Sequence, residues 1–217
     1  MQAVSDTLPA GINLEFDAMY TAMLSHDLKI NALLHTDGKL TLRGVAFRSV
    51  RFEPFGARFL ERTLRAILEN DLVRVRNAYL ETLHDLRSRT LKARDVATVA
   101  KLKKPHAKYL ESRGKLREAA YEAALQSGKV WLPGERIRWY RASSEHLVAL
   151  PADPDTGNPL EDATNYDVAH YVALFERTYV KRLEHAFTPD VFQQVFRSSA
   201  QEGLFDSSLE EMAVRWV

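Results

Sequence analysis

Apolar and polar residues alternate near the start of the chain, with Ile12, Leu14 and Phe16 on one face of a predicted strand. Residues 30–34 and 40–43 repeat the strand pattern on either side of Asp37-Gly38, a dipeptide that tolerates the positive φ of a tight hairpin turn. Residues 44–51 read as an extended exit from that sheet. At Pro54 the period becomes helical: Phe55, Phe59, Leu60, Leu64, Ile67 and Leu68 form one stripe, and proline suits a first turn. Asn70-Asp71 marks a break or a new cap before a second stripe of Leu72, Val75, Tyr79, Leu83 and Leu86. Further on, Leu116, Ala119, Ala120 and Ala123 predict a helix ending at Gly128. Strands are then expected at 130–132, 137–140 and 147–149, with Pro133-Gly134 as a turn, followed by a loop over 151–159. Asn165 or Asp167 caps a helix whose face is Val168, Tyr171, Val172, Phe175, Tyr179 and Leu183. Thr188-Pro189 opens the last helix, and after Arg197 the chain turns polar.

Strands first, helices next and a hairpin inside the helical part predict an α+β fold. The expected divisions are a small antiparallel β-rich portion over 1–52, a mostly helical domain over 53–197 with a β hairpin near 130–149, and a tail over 198–217. With 217 residues, 46% of them hydrophobic, the chain has enough for one good core plus a small appendage. It contains no apolar run of the roughly 18 residues that a membrane helix needs. The first residues carry neither the basic nor the apolar region of a secretory signal. The absence of cysteine excludes disulfides and thiol chemistry and fits a reducing cytosol.

Charge changes this picture. Between Arg87 and Arg117 lie eleven lysines or arginines and two acids, Asp95 and Glu111, although the whole chain holds 30 basic and 29 acidic residues. A neutral chain with its positive charge gathered in one stretch presents a polarised surface suited to a polyanion. Solvated helix faces would carry the same charges without a ligand.

The common catalytic signatures are missing. The sequence has no glycine-rich phosphate loop, no nucleophile elbow and no His-Glu-x-x-His. His26-Asp27 and His84-Asp85 are neighbours in sequence, so their side chains diverge on a helix or strand, and surface histidines account for them. A free-standing metal-dependent nuclease or transferase would need magnesium-dependent turnover by the pure chain.

Five segments in order resemble the C-terminal part of a family B DNA polymerase, the bacterial kind typified by DNA polymerase II. Residues 8–17 (LPAGINLEFD) are similar to a palm strand downstream of the second catalytic motif, and 23–34 (MLSHDLKINALL) to the primer-contacting Lys-x-Tyr region. Residues 46–54 (AFRSVRFEP) match the arginine segment leading from palm to thumb. Residues 132–140 (LPGERIRWY) resemble the thumb's small β element, and 165–172 (NYDVAHYV) the terminal palm–thumb helix. The resemblance implies a palm remnant and a thumb that grips primer–template duplex through phosphates, which carry no sequence information. Lys29, Asn31, Arg48 and Arg51 would lie near the primer, with Asn31 where tyrosine is usual, and Lys101, Lys103 and Lys104 would track the duplex.

The family's Tyr-Gly-Asp-Thr-Asp-Ser type turn and upstream metal-binding aspartate have no counterpart here, and two-metal phosphoryl transfer needs such carboxylates. The resemblance therefore implies no catalytic residue, metal site or cofactor in this chain. It implies Mg2+ only in a complete polymerase, and activity only with a separate catalytic polymerase chain that docks on the strand edges at 12–16 and 30–34. In the tail, Gln201, Leu204 and Phe205 fit the Gln-x-x-Leu-Phe pattern of sliding-clamp ligands, with two apolar anchors for a pocket. Replication or repair in the cytoplasm, at the nucleoid, and no membrane partner follow from the same resemblance. The alternative is a non-catalytic interaction subunit that works through its clamp peptide without binding DNA.

Overall fold

The computed structural model describes residues 18–151, 163–197, 209 and 212–214. The strand expected at 12–16, most of the 151–159 loop and the Gln201–Phe205 peptide lie outside them. Strands β1 (Tyr20–Asp27), β2 (Ile30–His35) and β3 (Leu40–Arg43) form an antiparallel sheet in that order. The Asp37 carboxylate accepts the Lys39 N–H at 2.9 Å and closes the predicted turn. β2 is paired on both sides, to β1 and to β3, so residues 30–34 are the centre of the sheet and not a docking edge. The exit over 44–51 is folded into turns: the Gly44 carbonyl accepts the N–H groups of Phe47 and Arg48, which drives Phe47 into the core.

Helices α1 (Pro54–Leu68) and α2 (Leu72–Ser88) fall where the apolar period places them, with Pro54 in the first turn and the Asp71 carboxylate accepting the Arg74 N–H at 2.9 Å. Their predicted stripes are all buried. A short α3 (Ala93–Val96), β4 (Thr98–Lys101), α4 (His106–Ser112) and α5 (Ala119–Gln126) follow. Strands β5 (Arg136–Arg141) and β6 (Leu147–Leu150) then complete a second antiparallel sheet, ordered β4-β5-β6.

Residues 130–132 form no strand. Trp131 is buried as a plug while Val130 and Leu132 point to solvent. The third strand comes instead from 98–101, inside the basic stretch, where four residues are too few to show a period.

The Asp167 carboxylate caps α6 (Val168–Leu174) by accepting the His170 N–H at 3.0 Å. α6 continues as a π-helical turn over Phe175–Val180 and a 3-10 segment over Lys181–Ala186, and α7 spans Pro189–Val195. Tyr171, Phe175, Tyr179 and Leu183 repeat every four residues, a stripe that drifts off a 3.6-residue helix and that the wider π turn keeps in line. All four are buried.

Two clusters hold the molecule. The larger joins the first sheet (Leu24, Ala32, Leu34) to α1, α2 and the Tyr171–Leu183 stripe. The smaller is Leu102, Tyr109, Tyr121, Ala124, Trp131 and Ile137, between the second sheet and α4–α5. Part of the polar tail returns to the larger cluster: Leu209 and Met212 pack against it, and Val214 is 3% exposed with its N–H on the Asn70 Oδ1 at 3.1 Å.

Candidate nucleic-acid interface

The basic stretch does not fold as one patch, because several of its members are engaged. The Arg58 guanidinium takes Asp95, one of the stretch's two acids, at 2.9 Å. Lys104 sits 2.5 Å from Glu118 with its Nζ near 6 Å from the Tyr109 and Tyr121 ring centroids, 5.9 and 6.0 Å respectively. Its N–H meets the Tyr121 hydroxyl and its carbonyl accepts the Trp131 indole N–H, so Lys104 braces the smaller core. Arg113 holds the buried Glu122 carboxylate with two N–H groups, at 2.9 and 2.8 Å. The Tyr109 hydroxyl donates to the same carboxylate at 2.7 Å. Arg113 and Tyr109 hold the Glu122 carboxyl below the usual range, while burial and Glu122 push the Tyr109 hydroxyl up to about 12.

Lys101 and Lys103 are different. Both are exposed, and no ion pair among the described residues involves either. Lys101 ends β4 directly opposite Arg136 on β5, and Val99 lies opposite Arg138. With side chains alternating at period 2, Lys101, Arg136 and Arg138 share one face of the sheet. Like charges placed opposite each other on neighbouring strands are destabilising. No described ion pair relieves Lys101, Arg136 or Arg138.

That face forms one wall of a groove of about 840 Å³. Arg51 and Val50 enter from the turn before α1, and Lys129 from the segment after α5. The Thr98 hydroxyl donates to the Arg51 carbonyl at 2.5 Å and ties that turn to the first residue of β4. Among the described residues five cationic side chains line the groove and no acid does; of the five, Lys129 has a carboxylate partner, Glu135 at 2.6 Å. Val99 and Leu150 add apolar surface to the lining. Such a lining can neutralise several phosphates in a row.

The structure brings together Arg51 and Lys101 among the residues expected from sequence. Lys29 lies exposed in the turn between β1 and β2, Asn31 pairs within the first sheet, and Arg48 is exposed after Gly44. Lys29, Asn31, Arg48, Lys103 and Lys104 do not line the groove. Gly44 has a φ of +87°, and a Cβ there would stand 2.7 Å from the Lys29 carbonyl oxygen, so glycine lets the exit turn press against the Lys29 turn. Lys129, Arg136 and Arg138 are the residues that sequence reasoning missed. The alternation Arg136-Ile137-Arg138 was their signal. Gln201, Leu204 and Phe205 lie outside the described residues.

Among the described residues no cluster of three metal-ligating side chains occurs, and no helix is long and apolar enough to cross a membrane. No protein-family model matches the sequence, and no curated protein matches it either. The fold is similar to part of a solved structure, the family B DNA polymerase from the hyperthermophilic archaeon Pyrobaculum calidifontis. The TM-score is 0.57 and the identity 16%, over 93% of this chain and 24% of that polymerase. The chain thus spans about a quarter of the length of the polymerase it resembles, with a fold of the family B polymerase kind.

Proposed function

We propose that this chain is the duplex-gripping portion of a family B DNA polymerase, of the bacterial type to which its five motifs are similar. The groove lined by Arg51, Lys101, Arg136 and Arg138 takes the sugar–phosphate backbone of primer–template DNA. The observation that carries this role is the placement of like charges across β4 and β5, Lys101 against Arg136, with no acid on the groove among the described residues. An arrangement that repels itself when empty is relieved by a polyanion. The polymerase-like fold supports the choice of DNA as that polyanion.

In this scheme the first sheet is the palm remnant of 1–52, residues 53–197 form the thumb, and 198–217 make the tail. Lys29, Asn31 and Arg48 contact the backbone outside the groove, and Lys103 extends the contact. Catalysis requires a chain carrying the metal-binding aspartates, and Gln201, Leu204 and Phe205 tether the assembly to a sliding clamp. The protein works in the cytoplasm at the nucleoid, in replication or repair.

The test is duplex binding by fluorescence anisotropy over a salt series. If about four phosphates are neutralised, affinity falls roughly 100-fold between 50 and 200 mM salt. The folded variant Arg51→Gln/Lys101→Gln/Arg136→Gln should lose most of this slope. Binding that is absent or insensitive to salt in the folded wild type overturns the proposal.

A further inference from the structure

A second cluster of cations lies away from the groove, where the end of β1 meets the π and 3-10 turns that follow α6. A pocket of about 320 Å³ there is lined by His26, Arg177, Thr178, Lys181, Arg182, Glu184 and His185. We infer that this pocket is an oxyanion site, taking a tetrahedral phosphate or sulfate group between His26, Arg177, Lys181 and Arg182. It stands independently of the DNA-binding reading.

Three observations carry it. The first is charge: among the described residues Glu184 is the sole acid on the lining and is already paired with Lys181 at 2.6 Å, while no described ion pair involves Arg177. The second is an unsatisfied donor. The Arg182 guanidinium is held 4.5 Å over the Phe52 ring and 5.6 Å from that of Tyr179, and its Nη1 is buried with no hydrogen-bond partner. Buried guanidinium N–H groups are rarely left unmade, so Arg182 keeps a positive charge beside the pocket that its hydrogen bonds do not compensate. The carboxylate near it, Glu53, already accepts the Tyr179 hydroxyl, and burial pushes its carboxyl toward the neutral form. The third is the backbone. Arg177 and Thr178 sit on the π-helical turn, a local distortion that recurs at ligand sites, and line the same pocket as Lys181.

His26, which faces His185, gives the site a pH dependence. Their ring centroids are 5.1 Å apart, and His26 also meets Phe47 at 5.5 Å. Burial holds the His26 imidazole below its ordinary range, His185 and Arg182 lower it further, and Asp27 beside it on β1 opposes them. Arg177, Lys181 and Glu184 are the remaining charged groups on the lining. A bound anion reverses the balance and favours imidazolium, so binding takes up a proton and tightens as pH falls through the histidine range.

Sulfate is the probe, since it does not titrate in that range. The full chain is titrated with sulfate against chloride at matched ionic strength, following imidazole resonances and melting temperature. Affinity should be severalfold higher near pH 6 than near pH 8, since a one-unit rise in one imidazole caps the gain at about tenfold. Arg177→Gln/Lys181→Gln, both exposed and outside the core, should abolish saturable binding while leaving the melting temperature in chloride unchanged. His26→Gln should remove the pH dependence. Equal effects of sulfate and chloride, or saturable binding that survives Arg177→Gln/Lys181→Gln, overturn the inference. Competition by duplex DNA identifies the ligand as a backbone phosphodiester, and its absence identifies a free oxyanion; a protein that fails to bind DNA can still pass the sulfate test.

Discussion

Gly56 lies face to face with Tyr179: a Cβ on this glycine would stand 2.1 Å from the Tyr179 Cζ. The ring can take that position because the side chain is absent, and from there its hydroxyl reaches Glu53, the residue that caps α1. It donates to the Glu53 carboxylate and accepts the Glu53 N–H, the latter at 3.1 Å. The cap of α1 is thus made by a residue on the π turn, whereas the Glu53 side chain makes none of its own. Gly56→Ala should destabilise the protein by about 2 to 3 kcal/mol through overpacking, read from urea unfolding. Tyr179→Phe keeps the ring and should cost about 1 to 3 kcal/mol by stranding a half-buried carboxylate. Wild-type stability in Gly56→Ala would mean that ring and helix part freely.

Acid should loosen the smaller core. Arg113 and the Tyr109 hydroxyl hold the Glu122 carboxyl below its unfolded value, so its contribution is full above about pH 4.3 and is lost as pH falls through the lowered folded value. Glu122→Gln should lower the melting temperature at neutral pH, and its gap to wild type should close on acidification toward pH 3. Tyr121 and Trp131 fluorescence reports that core directly. A gap that stays constant with pH would assign the loss to packing and not to the charge.

The elements legible in the sequence were those with a long period. The stripes of α1 and α2 emerged because each repeats its signal many times, and the Asp37-Gly38 hairpin because one turn dipeptide marks it. β4 has four residues and sits among lysines, so only its pairing with β5 reveals it. Trp131 looked like the centre of a strand because aromatic residues favour strands, but the small core needed a ring more than the sheet needed a partner. The basic stretch suggested a polyanion surface without saying which cations already have carboxylate partners. Lys101 and Lys104 are three residues apart, and only tertiary contacts assign one to the groove and the other to Glu118.

Those two lysines should separate cleanly in experiment. Lys101→Gln should reduce the salt slope of duplex binding by about 0.9 and leave unfolding unchanged within about 0.5 kcal/mol. Lys104→Gln should do the reverse, moving stability by up to about 1 kcal/mol with little effect on the slope, since its charge is exposed enough for solvent to screen the Glu118 pair. Equal effects on binding from both would place Lys104 on the DNA despite its partner.

Val214 anchors the end of the tail at the α1–α2 junction, and Asn70 is what receives it. Asn70 has a φ of +56°, a left-handed conformation that asparagine tolerates better than most residues, and its Oδ1 accepts the Val214 N–H. Two substitutions divide these roles. Asn70→Gly keeps the backbone conformation and loses only the hydrogen bond, at about 1 kcal/mol. Asn70→Ala loses the bond and strains the backbone as well, adding about 1 to 2 kcal/mol. Both leave Gln201, Leu204 and Phe205 themselves unchanged, so the clamp binding proposed for that peptide should survive in both, while Leu204→Ala/Phe205→Ala should cost about 2 kcal/mol or more of clamp affinity per anchor. Isothermal titration with a purified sliding clamp measures the affinity, and urea unfolding measures the stability. Clamp affinity that falls with Asn70→Gly, or that survives Leu204→Ala/Phe205→Ala, would move the contact from the peptide to the docked end of the chain.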